Sequence, residues 1–147
     1  DPAFLHMIKK LIAEKDGIFV SIDAAYVEKH QMNHAVLINL LKGADFVLFP
    51  YSNYPYGILP LLCMHFGCVP LANRVGMLAD VITDHQTGLL YSGLNTKNFK
   101  KCIDESFKIY SSGRILEFIK NDLIFSINDT DTAKSYKSLY DKVLHLL

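Results

Sequence analysis

Two short loops hold the residues best placed to do chemistry. The first, Tyr51–Gly57, carries Tyr54, Pro55, Tyr56 and Gly57; the second, Asn73–Gly76, runs directly into Met77. Each loop follows a short, continuous apolar run and precedes an apolar segment of helical length, so each reads as the link from a buried strand to a helix. Ile58 opens the first of these helices and Met77 the second. Two consecutive strand–loop–helix units imply a parallel sheet with crossover helices. In such sheets ligands gather beyond the carboxyl ends of the strands, where helix starts offer backbone N–H groups. The chemistry expected here is therefore ligand binding at one rim of the sheet.

Other residue types that do chemistry form no pattern. The six histidines, His6, His30, His34, His65, His85 and His145, have no metal-ligand spacing. His30 and His34 are four apart and share a helix face near Asp23 and Glu28, but solvated histidines at a helix start are the favoured reading. Cys63, Cys68 and Cys102 form no CxxC, and two of them lie in the most apolar part of the chain, where a thiol behaves as a small hydrophobe. They read as buried reduced thiols of a cytosolic protein. Asp45 and Asp80 sit where capping or dipole roles outweigh acid–base catalysis. Lys97, Lys100, Lys101 and Lys108 alternate with apolar positions and read as the wet face of a helix. No metal and no cofactor is implied.

The elements that position the two loops can be read in order. Asp1–Glu14 is expected to be helical, with Phe4, Leu5, Ile8, Leu11 and Ile12 at three- and four-residue spacing. Ile18–Ile22 reads as a strand and Asp23–Gln31 as an irregular connection. Asn33–Lys42 reads as a helix closed by Gly43. The central stretch then gives strand Phe46–Phe49, helix Ile58–Phe66 ended by Gly67, strand Cys68–Ala72 and helix Met77–Ile82. A polar turn, Thr83–Gly88, leads to strand Leu89–Tyr91. Helices follow over Thr96–Tyr110 and Arg114–Asn121. A linker, Phe125–Asn128, precedes a last helix capped near Asn128 or Asp129. The stripe Ala133, Tyr136, Tyr140 and Val143, with Leu139 beside it, is expected to pack back on the domain.

These elements form one domain over residues 1–147, the segment 128–147 being the terminal helix. The chain of 147 residues can bury a real core. Fifteen Lys and Arg balance fifteen Asp and Glu, so nothing draws nucleic acid or an anionic membrane. No apolar run is long enough to span a bilayer, and no basic segment with an apolar core marks a signal peptide.

The stretch Ala44–Ile82 resembles the C-terminal domain of starch and glycogen synthases, glycosyltransferases of the two-domain GT-B architecture. The matched residues are Ala44, Asp45, Phe46, Leu48, Pro50, Pro55, Gly57, Leu61, Met64, Gly67, Val69, Pro70, Gly76, Leu78 and Asp80, without a gap. The likeness continues through Thr87–Tyr91 and resumes at Asn121–Leu144. It implies an α/β fold, a Rossmann-like parallel sheet flanked by helices, lacking the family domain's first strand–helix–strand unit. The two missing strands would lie between Ile18–Ile22 and Phe46–Phe49. Either the chain is a piece of a longer protein, or the first strand moves over, or another chain covers the edge.

The resemblance also implies a function: glucosyl transfer from ADP-glucose or UDP-glucose to an α-glucan, in a cleft shared with an N-terminal domain. It implies a cytoplasmic location, or the plastid stroma for a plant-like source. Tyr54, Pro55, Tyr56, Gly57, Ile58, Gly76 and Met77 would frame the nucleotide-sugar pocket. Several positions depart from the family. Tyr54 stands for a glutamate and cannot supply a carboxylate acceptor. Leu62 stands where related enzymes carry a second glutamate, Met77 replaces a glycine, and Ser52 occupies the place of an arginine. The upstream cations that hold the diphosphate are absent from this sequence. No catalytic residue is assigned, and the isolated chain is expected not to catalyse transfer. The alternative is a non-catalytic relative acting as a binding or assembly module; a third is another nucleotide-sugar transferase of the same architecture.

Overall fold

The computed structural model describes residues 2–15, 33–93, 95–119 and 129–144. Within them lie helices α1 (Pro2–Ala13) and α2 (His34–Gly43), then strand β1 (Phe46–Phe49), α3 (Leu59–His65), β2 (Val69–Asn73), α4 (Gly76–Val81) and β3 (Leu89–Tyr91). Helices α5 (Thr96–Ser111), α6 (Ile115–Ile119) and α7 (Asp129–Leu144) complete the order. The strand expected at Ile18–Ile22, the connection Asp23–Gln31 and the linker Phe125–Asn128 lie outside the described residues.

The fold is α/β, with β1, β2 and β3 side by side in sequence order. Both pairings are parallel: Phe46 lies beside Val69 and Phe49 beside Ala72, and Leu71 lies beside Leu89 and Asn73 beside Tyr91. Parallel neighbours require a crossover, supplied here by α3 and α4. Every residue of the central strand β2 is buried, as a strand covered on both faces requires.

The two-residue period of the strands sorts side chains onto two layers. Phe46, Leu48, Val69, Leu71, Leu89 and Tyr91 face a core built with Ile8, Leu11 and Ile12 of α1, Phe99, Cys102, Ile103 and Ile109 of α5, and Phe118 of α6. Val47, Phe49, Ala72 and Leu90 face the opposite core, with Leu41 of α2, Cys63 of α3 and Leu78 of α4. Burial of one such leucine contributes roughly 1.5–3 kcal/mol. The crossover helices α3 and α4 therefore share one face of the sheet.

Local chemistry sets the boundaries. Asn33 caps α2, its side-chain oxygen accepting from the Val36 N–H at 3.1 Å. Asn95 caps α5 in the same way. Gly67 follows the α3 cap in the left-handed region, at φ 88°. Gly43 does not close α2 in the expected manner: it is the last helical residue, and Ala44 is the cap in extended geometry. An extended exit needs no glycine and leads straight into β1.

Helix α7 forms where expected, but its stripe is exposed. Ala133, Tyr136, Leu139, Tyr140 and Leu144 all face solvent, with the Tyr136 and Tyr140 rings 6.5 Å apart. Periodicity marks a helix face as apolar without saying which surface covers it.

Candidate functional site

Because the three strands are parallel, the loops after β1, β2 and β3 leave at one rim, and Asn73 ties them together. This residue ends β2 and is 3% exposed. Its Nδ2 donates to the Tyr51 carbonyl at 2.8 Å, and its Oδ1 accepts from the Gly93 N–H at 3.0 Å. The Arg74 N–H adds a bond to the Tyr91 carbonyl at 2.8 Å. An amide side chain, carrying both donor and acceptor, is the chemistry this position needs.

The two candidate loops meet around Tyr54 and Met77. The Met77 N–H donates to the Tyr54 carbonyl at 3.0 Å, and the Gly57 N–H donates to the Met77 sulfur at 3.2 Å. The Tyr54 ring lies 5.1 Å from that of Tyr51, tilted by 34°, and meets Phe49 edge-on at 6.2 Å. A methyl group on Gly57 would overlap the Tyr54 phenol, and one on Gly76 would overlap the Tyr54 carbonyl. Gly76 is also left-handed, at φ 46°. The room that these glycines leave is filled by Tyr54.

Tyr54, Gly57, Gly76 and Met77 are thus brought together, with Tyr54 and Met77 half-buried. Pro55, Tyr56 and Ile58 present their side chains to solvent. Burial, then the neighbouring Tyr51 and Cys63, raises the pKa of the Tyr54 phenol, so it is a neutral hydrogen-bonding group. Neither Ile58 nor Val75, the residues preceding α3 and α4, caps its helix with a side chain.

Three residues of the rim were not singled out from sequence. Asn73 is one; the signal available is a polar residue at the end of an otherwise apolar strand. Arg74 and Asp84 are the others: the Arg74 Nη2 lies 2.7 Å from the Asp84 Oδ2, while the Asp84 Oδ1 accepts from the Leu90 N–H at 2.8 Å. Ten residues separate the pair, and no local spacing rule links them. His85, left-handed at φ 60°, sits 3.4 Å from Glu105.

The thiols are placed for packing. Cys63, Cys68 and Cys102 are free and buried, and the Cys68 thiol donates to the Leu41 carbonyl at 2.6 Å. A hydrogen bond to Cys68, reinforced by burial, raises the Cys63 pKa, and burial pushes Cys102 up to about 12. Neither is a thiolate nucleophile at neutral pH. Among the described residues no group of three or more His, Cys, Asp or Glu side chains could hold a metal ion. No helix of the described residues is long and apolar enough to cross a membrane.

Comparison with known proteins decides the family. The model of the glycosyl transferases group 1 family matches residues 9–116, most of the chain, including both loops. The chain belongs to the group 1 glycosyltransferases. It is 29% identical over 104 residues to the glycogen synthase of Xanthomonas campestris pv. campestris strain 8004, covering 70% of this chain and 22% of that protein. It is 28% identical over 139 residues to the glycogen synthase of Thermodesulfovibrio yellowstonii, covering 92% of this chain and 26% of that protein. The chain therefore spans about a quarter of the length of these relatives. Among solved structures, the catalytic domain of starch synthase IV from Arabidopsis thaliana, bound to ADP and acarbose, superposes with a TM-score of 0.73 at 18% identity. That match covers 95% of this chain and 35% of the other. Sucrose-phosphate synthase from Thermosynechococcus elongatus gives 0.64 at 18% identity, covering 84% and 34%. These likenesses carry the fold, and it is that of a GT-B C-terminal domain.

Proposed function

We propose that this group 1 glycosyltransferase chain is the donor-side domain of a glycogen- or starch-synthase-like enzyme. The glucosyl transfer, from ADP-glucose or UDP-glucose to an α-glucan, belongs to the complete protein, with a second domain closing the cleft. The observation that carries this reading is the meeting of the β1–α3 and β2–α4 loops at the carboxyl rim, through Tyr54, Gly57, Gly76 and Met77. Relatives at this sequence likeness include glycogen synthases. The same reading takes the protein to be cytosolic, in keeping with its three unpaired, buried cysteines.

The isolated chain is not expected to transfer glucose. Bond cleavage leaves charge on the diphosphate, which needs fixed cations nearby. From Phe46 to Asn73 the sequence has no Lys or Arg, and Arg74 at the rim is paired with Asp84. The test is incubation of the chain with glycogen and either donor, reading incorporated glucose; any incorporation refutes the expectation. Donor-side binding is tested apart from catalysis by melting the chain in millimolar ADP or UDP. Ligand at ten times its Kd adds about 1.4 kcal/mol to the native state and raises Tm.

A second reading, a non-catalytic binding or assembly module, draws on a specific observation. The Gly57 amide is already satisfied by Met77, and both glycines are packed against Tyr54. A Tm unmoved by both nucleotides selects this reading over the first.

A further inference from the structure

We propose that the groove along the outer face of α5, where the end of α1 meets it, is a docking surface for an acidic, extended segment of a partner protein, held by Lys15, Lys97, Lys100, Lys101 and Lys108. Helix geometry puts four of these lysines on one stripe. At about 3.6 residues per turn, positions 97, 100, 101, 104 and 108 fall on one side of α5. Phe99, Cys102, Ile103, Ser106 and Ile109 are buried on the other.

The fifth lysine comes from the end of α1. The Lys15 Nζ lies 2.9 Å from the Asp104 Oδ1 and 5.5 Å from the centre of the Phe107 ring. Asp104 is the hub of the stripe. The Lys15 hydrogen bond holds its carboxyl below the usual carboxylate range, and the charges of Lys15, Lys100 and Lys108 pull the same way. Two shallow depressions adjoin here. Lys97, Lys100 and Lys101 line one, Lys15, Ser111 and Ser112 line the other, and Asp104 and Lys108 border both. Together they make one open groove.

Charge sets the class of partner. The whole chain is formally neutral, but in this groove five lysines face only Asp104 and Glu105. Lys97, Lys100, Lys101 and Lys108 are exposed, and among the described residues none of the four forms an ion pair. Like charges this close repel, and an anionic partner relieves that repulsion. Carboxylates on a peptide suit the groove better than phosphates or a lipid surface. Every cation is a lysine, a point charge, whereas the fork that grips phosphate belongs to arginine. Phe107, the one ring among the described residues lining the groove, is half-buried with Lys15 over its face, so no ring is free to stack a base. The apolar side of α5 is spent in the core, leaving no wedge to enter a bilayer. Asp104 and Glu105 repel a uniformly charged polymer and favour a segment whose carboxylates are separated by neutral residues. In an extended strand, alternate side chains share a face about 7 Å apart. Lys97 and Lys101 are about 6 Å apart along the helix axis, so the two spacings agree.

This inference does not draw on the donor-side reading, since α5 packs on the face of the sheet opposite α3 and α4. The test is fluorescence anisotropy of a dye-labelled peptide of alternating Glu and Ser, about eight residues long, titrated with the 147-residue chain at low salt. Binding is expected, weakened about tenfold or more when salt is raised to about 0.2 M. Lys100→Glu combined with Lys108→Glu should weaken it about tenfold or more. Lys137→Glu combined with Lys142→Glu, an equal change of charge placed on α7, should leave it within about twofold. All four side chains are exposed, so Tm should stay within about a degree or two in both double variants, which separates lost binding from lost folding. A parent chain that does not bind the peptide overturns the proposal, as does undiminished binding by the Lys100/Lys108 variant. A single-stranded oligothymidylate, or vesicles of phosphatidylserine, held more tightly than the peptide also overturns it, because the groove would then serve phosphate.

Discussion

The backbone amide of Gly57 donates to the thioether of Met77 at 3.2 Å, across twenty residues of sequence. A thioether is a weak acceptor, so this bond holds the amide without holding it firmly. The Met77 N–H in turn reaches the Tyr54 carbonyl at 3.0 Å, and the two loops are fastened by both bonds. Under the donor-side reading, Met77 occupies space that a ligand would use. Met77→Gly is then expected to enlarge the Tm shift produced by ADP or UDP. The variant itself should lose about 1–2 kcal/mol, from one side chain's burial and a glycine within α4. A nucleotide response no larger than that of the parent chain would refute this expectation.

The two glycines at this junction should not be equally costly to replace. A methyl on Gly57 meets the ring end of Tyr54, a side chain at the surface of the core that can give way. A methyl on Gly76 meets a backbone carbonyl and adds strain at φ 46°. Gly76→Ala should therefore destabilise by about 2–4 kcal/mol and Gly57→Ala by about 1–2, measured by urea unfolding. Tyr54→Ala should relieve Gly57→Ala and leave Gly76→Ala unrelieved, a difference that double-mutant cycles read directly.

Much of this arrangement was legible in the residues themselves. The strands Phe46–Phe49 and Leu89–Tyr91, and the unbroken burial of Val69–Ala72 in the central one, follow from apolar runs of strand length. Gly67 ends its helix as expected, whereas Asn33, read as the first helical residue, is instead the cap of α2. The meeting of Gly57 with Gly76 at one rim also follows from two successive crossovers. What occupies the rim did not follow. Glycine spacing signals close approach without naming the approaching atom, and here it is Tyr54. Asn73 and the Arg74–Asp84 pair depend on register between β2 and β3, which no single segment encodes. The exposed stripe of α7 shows the same limit: Tyr136 and Tyr140 lie on one face by period, but period says nothing of a partner.

Buried acids make the fold sensitive to alkali. Burial raises the Tyr91 phenol and pushes Cys102 up to about 12, and the bond to Cys68 together with burial raises Cys63. In each case the folded state holds its proton more tightly than the unfolded chain. The stabilisation is full below the unfolded pKa, 9.0 for a thiol, and is lost as pH rises toward the folded value. Stability should fall by about 1.4 kcal/mol per pH unit for each such group once the pH passes its unfolded value, 9.0 for the two thiols and 10.0 for Tyr91. Urea midpoints between pH 8 and 10.5 measure the slope, and Cys102→Ala should flatten it. The hydrogen bond from Cys63 lowers the Cys68 pKa, yet all three thiols are buried, so a thiol reagent at pH 8 should label none of them until the chain is unfolded.

Asn73 offers the sharpest test of how the rim is held. Its two hydrogen bonds, 2.8 Å to the Tyr51 carbonyl and 3.0 Å from the Gly93 N–H, join the loops after β1 and β3 through the end of β2. Asn73→Ala strands both partners in partly buried surroundings, at a cost of about 2–3 kcal/mol. Asn73→Asp keeps the acceptor for Gly93 but sets a carboxylate against the Tyr51 carbonyl, so it should recover no more than half of that loss. The effect should be local as well as global: amide exchange at Gly93 should accelerate in Asn73→Ala and stay slow in Asn73→Asp. Ser52→Ala, on the same loop but exposed, should change stability by less than about 0.5 kcal/mol. If all three variants unfolded at the parent's urea midpoint, the loops would have to be ordered by their own contacts, Tyr51 against Tyr54 and Gly57 against Met77, without the strand beneath them.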